Sequence, residues 1–200
     1  MSEMTLHEAL LSRRTAYSFT DEAIPDDVVD RALDAVRWAP NHKLTQPWRV
    51  VLVGPDTRAR IAAVAEILAE RKAAGCSSEE IARMQAKAKK KFTQIGGLAV
   101  VLQKLPEGAD RNALSDDDAF VIQEDYAAVC CGLHNFVLSL WADGVASLWG
   151  TGGITRNPEV LQLLGKADDE DVVGFVRFGR PEKVPKQQRH DVDSYVRHLP

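Results

Sequence analysis

One long apolar stretch in the second half of the chain constrains the fold more than any other feature. Residues 126–142 read YAAVCCGLHNFVLSLWA. This is shorter than the roughly 18–20 consecutive apolar residues that cross a bilayer. The pattern extends into one helix over about residues 116–143, with Gly144 as a C-cap. Because a helix that is apolar nearly all round is buried all round, we expect it to lie in the core.

Shorter patterns place helices and strands in turn along the rest of the chain. Runs of β-branched and apolar residues predict strands at Trp48–Val53, Leu98–Leu102, Val145–Trp149 and Val172–Phe178. Helical spacing and capping residues predict helices near residues 5–12, 26–37, 56–71 and 78–92, and after Asn157. These elements predict one mixed sheet with helices on its faces, in an α+β or α/β sandwich. Residues 1–200 contain no repeat or linker, so we expect a single domain.

Charge and cysteine content exclude several classes of protein. The 25 Lys and Arg against 29 Asp and Glu give a net charge of −4, which argues against a dedicated nucleic-acid-binding domain. The basic segment 83–91 is interpreted as a solvated helix face. Three cysteines without metal-ligand spacing predict reduced thiols rather than a disulfide framework or a zinc site. The N-terminus has no signal-peptide pattern, so a cytoplasmic protein without membrane segments is expected.

No Walker loop, GxSxG or HExxH motif is present, so neither a metal nor a catalytic nucleophile is predicted. Four polar clusters remain, and each has an ordinary structural explanation as well. Arg13, Arg14 and Thr15 could hold a phosphate or complement a helix dipole. The proline-bounded loop 40–47 could present donors or only connect elements. The glycines of 150–153 could let a ligand approach the backbone or form a turn. Segment 186–189 by itself is a basic tail.

The combination of these clusters resembles the nitroreductase family of FMN-dependent NAD(P)H oxidoreductases over nearly the whole chain. LLSRRTAYSFTDEAIP is similar to the arginine-arginine-serine start of the family, and ALDAVRWAPNHKLTQPW to its loop ending in QPW. GVASLWGTGG is similar to the glycine-rich segment along the flavin, and VGFVRFGRPEKVPKQQR to the last strand and its trailing arginine. The form of the loop and the short length resemble the small NAD(P)H nitroreductase branch.

This resemblance implies a three-layer α+β sandwich with a central mixed, mainly antiparallel sheet, assembled as an intertwined homodimer with two FMN sites at the interface. The long helix would form much of the dimer core. It also implies a set of cofactor-binding residues from both chains. In one chain these are Arg13, Arg14, Thr15 and Arg189 at the phosphate, and Trp149, Gly150 and Thr151 along the ring. The partner chain would add Trp38, Asn41, His42 and Gln46. Leu44 stands where many relatives carry asparagine, and His42 is the candidate replacement.

The implied activity is ping-pong transfer of hydride from NADH or NADPH, through FMN, to a small electron-poor acceptor such as a nitroaromatic or a quinone. This chemistry needs no protein acid or nucleophile, because the cofactor carries it. His42 or Lys43 is the candidate donor near the N1/O2 edge of the ring. Alternatives left open by the sequence are other flavin chemistry on the same fold, such as dehalogenation or flavin breakdown, flavin storage without turnover, and a nucleic-acid-binding module.

Overall fold

The structure is a computed structural model that describes residues 4–109 and 113–199. Each predicted helix and strand is present in it. The helices and strands are α1 Leu6–Ser12, α2 Asp26–Val36, β1 Trp48–Leu52, α3 Pro55–Lys72, α4 Ser78–Thr93, β2 Gly97–Lys104, α5 Asp116–Ala142, β3 Ala146–Gly150, α6 Pro158–Leu163 and β4 Glu170–Gly179. Short 3₁₀ turns cover His42–Leu44, Gly153–Arg156 and Val192–Ser194.

The four strands form one sheet in the order β1-β2-β4-β3, and all three neighbouring pairs are antiparallel. Within the described residues, parallel pairing is limited to an isolated bridge between Thr15 and Ser147. The prediction of a mainly antiparallel sheet is therefore confirmed. Since an α/β sandwich needs parallel strands joined by crossover helices, the fold is α+β.

Helices cover both faces of this sheet, which gives three layers. Side chains alternate between the faces along a strand. Leu98 and Val100 of β2 accordingly pack in the core beneath α3, α4 and α6. Ala99 and Val101 point the other way and pack in a second core beneath α2 and α5. The predicted three-layer sandwich is confirmed.

The helix ends are set by local hydrogen bonds that the sequence makes recognisable. At α1 the Thr5 hydroxyl accepts from the Glu8 amide at 3.2 Å, and the Glu8 carboxylate accepts from the Thr5 amide at 2.8 Å. Gly144, at φ +73°, follows α5 in the left-handed region as expected of a C-cap. The start of α3 differs from the prediction, because Gly54 caps this helix rather than the predicted Asp56 or Thr57. It begins at Pro55, because proline is favoured in the first position of a helix.

Helix α5 leaves part of its surface exposed in the single chain, so its burial all round would require a partner chain. Its buried side includes Val129, Leu133 and Phe136, each at most 1% exposed. In its first half Phe120 is 61% exposed and Tyr126 is 45% exposed. The described part of the chain contains no helix long and apolar enough to cross a membrane.

Gly97 provides a test of how closely the sheet packs. A Cβ at this position would overlap the ring of Phe178, which packs edge-on against Phe136 with ring centroids 5.9 Å apart. We expect Gly97→Ala to lower the free energy of unfolding by about 1–3 kcal/mol, because this overpacking forces the ring to move. The measurement is urea unfolding at a fixed protein concentration. The control is Gly153→Ala, where a Cβ meets no atom within 4 Å. Equal effects of the two substitutions would contradict the packing described.

Candidate functional site

A cluster of cationic side chains lies at the C-terminal end of α1. Arg13 is half-buried, and its burial, together with repulsion from Arg189 and Arg14, lowers its pKa. His134 of α5 lies near the same group, since burial and then the charge of Arg13 lower its pKa. No carboxylate in the described ranges forms an ion pair with Arg13 or Arg189. An anion bound here would relieve the repulsion.

Arg14 also has a structural role. Its Nη1 donates to the carbonyl oxygens of Leu11 at 2.7 Å and Arg13 at 2.8 Å. Positive charge on the last carbonyls of a helix complements the helix dipole. The two explanations of the arginine pair apply to different residues. Arg14 complements the dipole of α1, while Arg13 lies near Arg189, where a phosphate could bind.

The arginine cluster is joined to strand β3 through the next two residues. Thr15 forms the isolated bridge to Ser147, and the Ala16 amide donates to the Ser147 carbonyl at 3.2 Å. Trp149 follows two residues later in the same strand. The structure therefore brings the predicted Arg13–Thr15 cluster close to the predicted segment 149–151.

Trp149 lies against the backbone of β4. Its Nε1 donates to the Val173 carbonyl at 3.3 Å, and a Cβ on Gly174 would overlap the indole ring. The indole is 41% exposed. Beyond it the backbone is open, because Cβ atoms on Gly152 or Gly153 would meet nothing within 4 Å. A flat ligand could therefore approach the backbone of this segment.

A cavity of about 480 Å³ adjoins this glycine segment and lies under α3 and α4. That volume is within the range of small-molecule sites. Its lining includes the apolar side chains of Leu68, Met84, Phe92, Ile154 and Phe175. Its charged lining residues are Lys72, Lys87, Lys91 and Arg177.

The loop before β1 is attached to α5 by two side-chain contacts. His42 Nδ1 lies 3.1 Å from a carboxylate oxygen of Glu124, and the Thr45 hydroxyl donates to the buried carboxylate of Asp125 at 2.7 Å. Asn41 closes the loop on itself, since its Oδ1 accepts from the Gln46 amide at 3.0 Å. Sequence analysis missed both carboxylates. They are recognisable in the sequence only as two adjacent acidic residues within a largely apolar helix.

Trp38, Asn41, His42 and Gln46 form a group apart from the arginine cluster. Trp38 is 72% exposed, and the Arg37 guanidinium lies 5.1 Å from the centre of its ring system. The group that includes His42 contacts α5 at Glu124, and the arginine cluster lies near His134 of the same helix. These two positions are about 15 Å apart along α5, because a helix rises about 1.5 Å per residue. Within one chain, the structure does not bring the two predicted groups together.

The loop carries backbone strain. Lys43, Leu44 and Gln46 have φ values of +52°, +54° and +46°. A non-glycine residue in this left-handed region costs roughly 1–2 kcal/mol. Such strain clusters at functional sites, where surrounding contacts hold it in place.

Comparisons with known proteins agree with this fold. The model of the Nitroreductase family matches residues 10–180. The chain is 27% identical over 186 residues to "Putative NAD(P)H nitroreductase YfhC" of Bacillus subtilis, covering 92% of this chain and 88% of that protein. A nitroreductase-like family protein from Bacillus cereus has a TM-score of 0.78 and 24% identity, covering 100% of this chain and 98% of that chain. Iodotyrosine deiodinase bound to FMN and 3-iodo-L-tyrosine has a TM-score of 0.72 and 20% identity, covering 98% and 100%. These two structures share the fold.

The strain at Leu44 can be measured by comparing two substitutions. Both Leu44→Gly and Leu44→Ala remove the exposed side chain, but only glycine adopts a positive φ without a steric cost. We expect the glycine variant to have a free energy of unfolding about 1 kcal/mol higher than the alanine variant. The same pair at Leu10, exposed within α1, should show the opposite order, because glycine destabilises a helix. Thermal and urea unfolding measure both pairs, and a lower value for Leu44→Gly than for Leu44→Ala would contradict the strained backbone.

Proposed function

Because the chain belongs to the nitroreductase family, we propose that it is an FMN-dependent oxidoreductase that oxidises NAD(P)H and reduces electron-poor acceptors such as nitroaromatics or quinones. YfhC is named an NAD(P)H nitroreductase, and the deiodinase of the same fold holds FMN. The observation that carries the proposal is the arginine cluster, which has no carboxylate partner among the described residues and is joined through Thr15 to the open glycine segment after β3.

The residues at this site fit the two chemically different ends of FMN. A phosphate carries close to two negative charges near neutral pH, and Arg13 and Arg189 repel one another until such an anion is bound. Thr15 adds a hydroxyl beside them. Trp149 and Gly150 offer the other end a flat aromatic surface and a backbone without a Cβ. Thr151 is exposed next to them and completes the ring-binding segment of this proposal.

When bound, FMN supplies two-electron chemistry between NAD(P)H and an acceptor that uses the same place in turn, which is a ping-pong sequence. The chain itself binds and orients the reactants and needs no acid or nucleophile of its own. His42 would act as a donor to the ligand. Its Nδ1 lies at the Glu124 carboxylate, so the ring is held in orientation and Nε2 is the atom left to contact a ligand.

A second copy of the chain is part of the proposal. Helix α5 exposes Phe120, Tyr126 and Cys131, and exposed apolar surface marks an interface. The separation of about 15 Å along α5 between the two residue groups also favours a site built from both chains. Trp38, Asn41, His42 and Gln46 would then come from the partner, in an intertwined homodimer. A C2 dimer would have two such sites.

The phosphate assignment is tested by titrating the protein with FMN and with riboflavin, which lacks the phosphate. We expect the wild-type protein to be yellow as purified and to prefer FMN. Arg13→Gln should reduce the preference for FMN over riboflavin at least about tenfold, because a charge-assisted hydrogen bond contributes about 1.5–3 kcal/mol. Arg60→Gln is the control, since Arg60 is exposed on α3. Protein that binds neither flavin would overturn the proposed function.

The two-chain site is tested by mixing variants. Arg13→Gln and His42→Ala are each expected to weaken FMN binding more than stability. When the two variants are expressed together, one site of each mixed dimer carries both substitutions and the other carries neither. Roughly a quarter of all sites should then regain the affinity of the wild-type protein for FMN. Sedimentation establishes the dimer, and a stable monomer or a lack of any regain would show that each site lies within one chain.

A further inference from the structure

Arg177 is a charged residue on a face of the sheet that is otherwise apolar. In the register of the sheet it stands between Leu98 of β2 and Leu148 of β3, and both leucines are buried. It therefore points to the same side as α3 and α4. Burial lowers the pKa of its guanidinium. Within residues 4–109 and 113–199 it forms no ion pair. A half-buried charge without a partner is costly, and packing gives no reason for it.

Three lysines line the same cavity as Arg177. Partial burial, and then the charges of Arg177, Lys87 and Lys72, lower the pKa of Lys91. In the part of the chain that the structure describes, no aspartate or glutamate lines the cavity. Lys89, which lies between two of these lysines on α4 but outside the cavity, does have a partner, since its Nζ is 3.5 Å from a Glu66 oxygen. The four cations that line the cavity, by contrast, form no ion pair within residues 4–109 and 113–199.

Most of the other side chains that line the cavity are apolar. The rings of Phe92 and Phe175 are buried in its lining, and Leu68 and Met84 line it from α3 and α4. Gly150, which begins the segment assigned above to the flavin ring, also lines it. A ligand that matches this cavity has a planar apolar body and an anionic group at one end.

We propose that this cavity binds the electron acceptor, and that the acceptor is a planar electron-poor molecule bearing a carboxylate that Arg177 and Lys91 bind. This inference rests on the proposed function and adds the substrate class to it. The planar guanidinium of Arg177 can donate two parallel hydrogen bonds to a carboxylate, and Lys91 adds a second positive charge. The phosphates of NAD(P)H are also anions that these cations could bind, and the experiment distinguishes them from a carboxylate of the acceptor.

The test compares two acceptors that differ in charge, 4-nitrobenzoate and its methyl ester, with NADH as donor and the FMN-loaded protein. We expect a higher kcat/KM for the carboxylate than for the ester, and a smaller difference at high salt. Arg177→Gln and Lys91→Gln should each lower the ratio of the two kcat/KM values at least about tenfold, since hydrogen bonds to charged groups are worth about 1.5–3 kcal/mol. Lys90→Gln removes a charge next to Lys91 on α4 without touching the cavity and should leave the ratio within about twofold.

A wild-type ratio at or below one, or a ratio unchanged in both variants, overturns the inference. So does a rise in KM for NADPH alone, or for both NADH and NADPH, in the variants, because the cavity would then bind the phosphates of the dinucleotide. Lys91 is exposed, so Lys91→Gln tests the proposal even where Arg177→Gln impairs folding. Failure of the proposed function is seen separately, as an absence of bound flavin or of bleaching by NAD(P)H before any acceptor is added.

Discussion

Helix α5 packs on one face of the sheet through Val129, Leu133 and Phe136, and most parts of the site are attached to it. It contacts α1, α2, all four strands and the turn at His42–Leu44. Towards its start, Glu124 and Asp125 hold the loop before β1. At its other end, the Trp141 indole donates to the Ser12 hydroxyl at 2.8 Å and thereby ties down α1 and the arginines that follow it. The apolar packing of this one helix therefore sets the spacing between both groups of site residues.

The distribution of charge gives the second organising constraint. The chain as a whole is acidic, with a net charge of −4, yet two groups of cations near β3 and β4 have no acidic partner in the described ranges. Repulsion within each group destabilises the protein in the absence of a ligand, and an anion that binds there recovers that energy. In the proposals above, one cationic group takes the phosphate of the cofactor and the other takes the anion of the substrate.

The sequence was sufficient for the parts of the structure that depend on neighbours along the chain. The capping of α1 by Thr5, the C-cap at Gly144 and the four strands all follow from short patterns. The link from Thr15 to Ser147 and the tie from Thr45 to Asp125 could not be predicted, because they join residues far apart in sequence. Arg177 is visible in the sequence as a single charge within an apolar strand, but only the register of the sheet shows which face it occupies. The incomplete burial of α5 within one chain could not be predicted, because hydropathy alone does not show which apolar residues a single chain buries.

The contact between Trp149 and Gly174 has a consequence for how this protein can diverge. The indole occupies the space that any side chain at 174 would need, so an aromatic residue at 149 and a glycine at 174 cannot be exchanged independently. In the register of the sheet Trp149 pairs with Val176, so its ring reaches Gly174 diagonally, two residues away along β4. Over evolutionary time the two positions should covary, with a larger residue at 174 permitted only where 149 has become small.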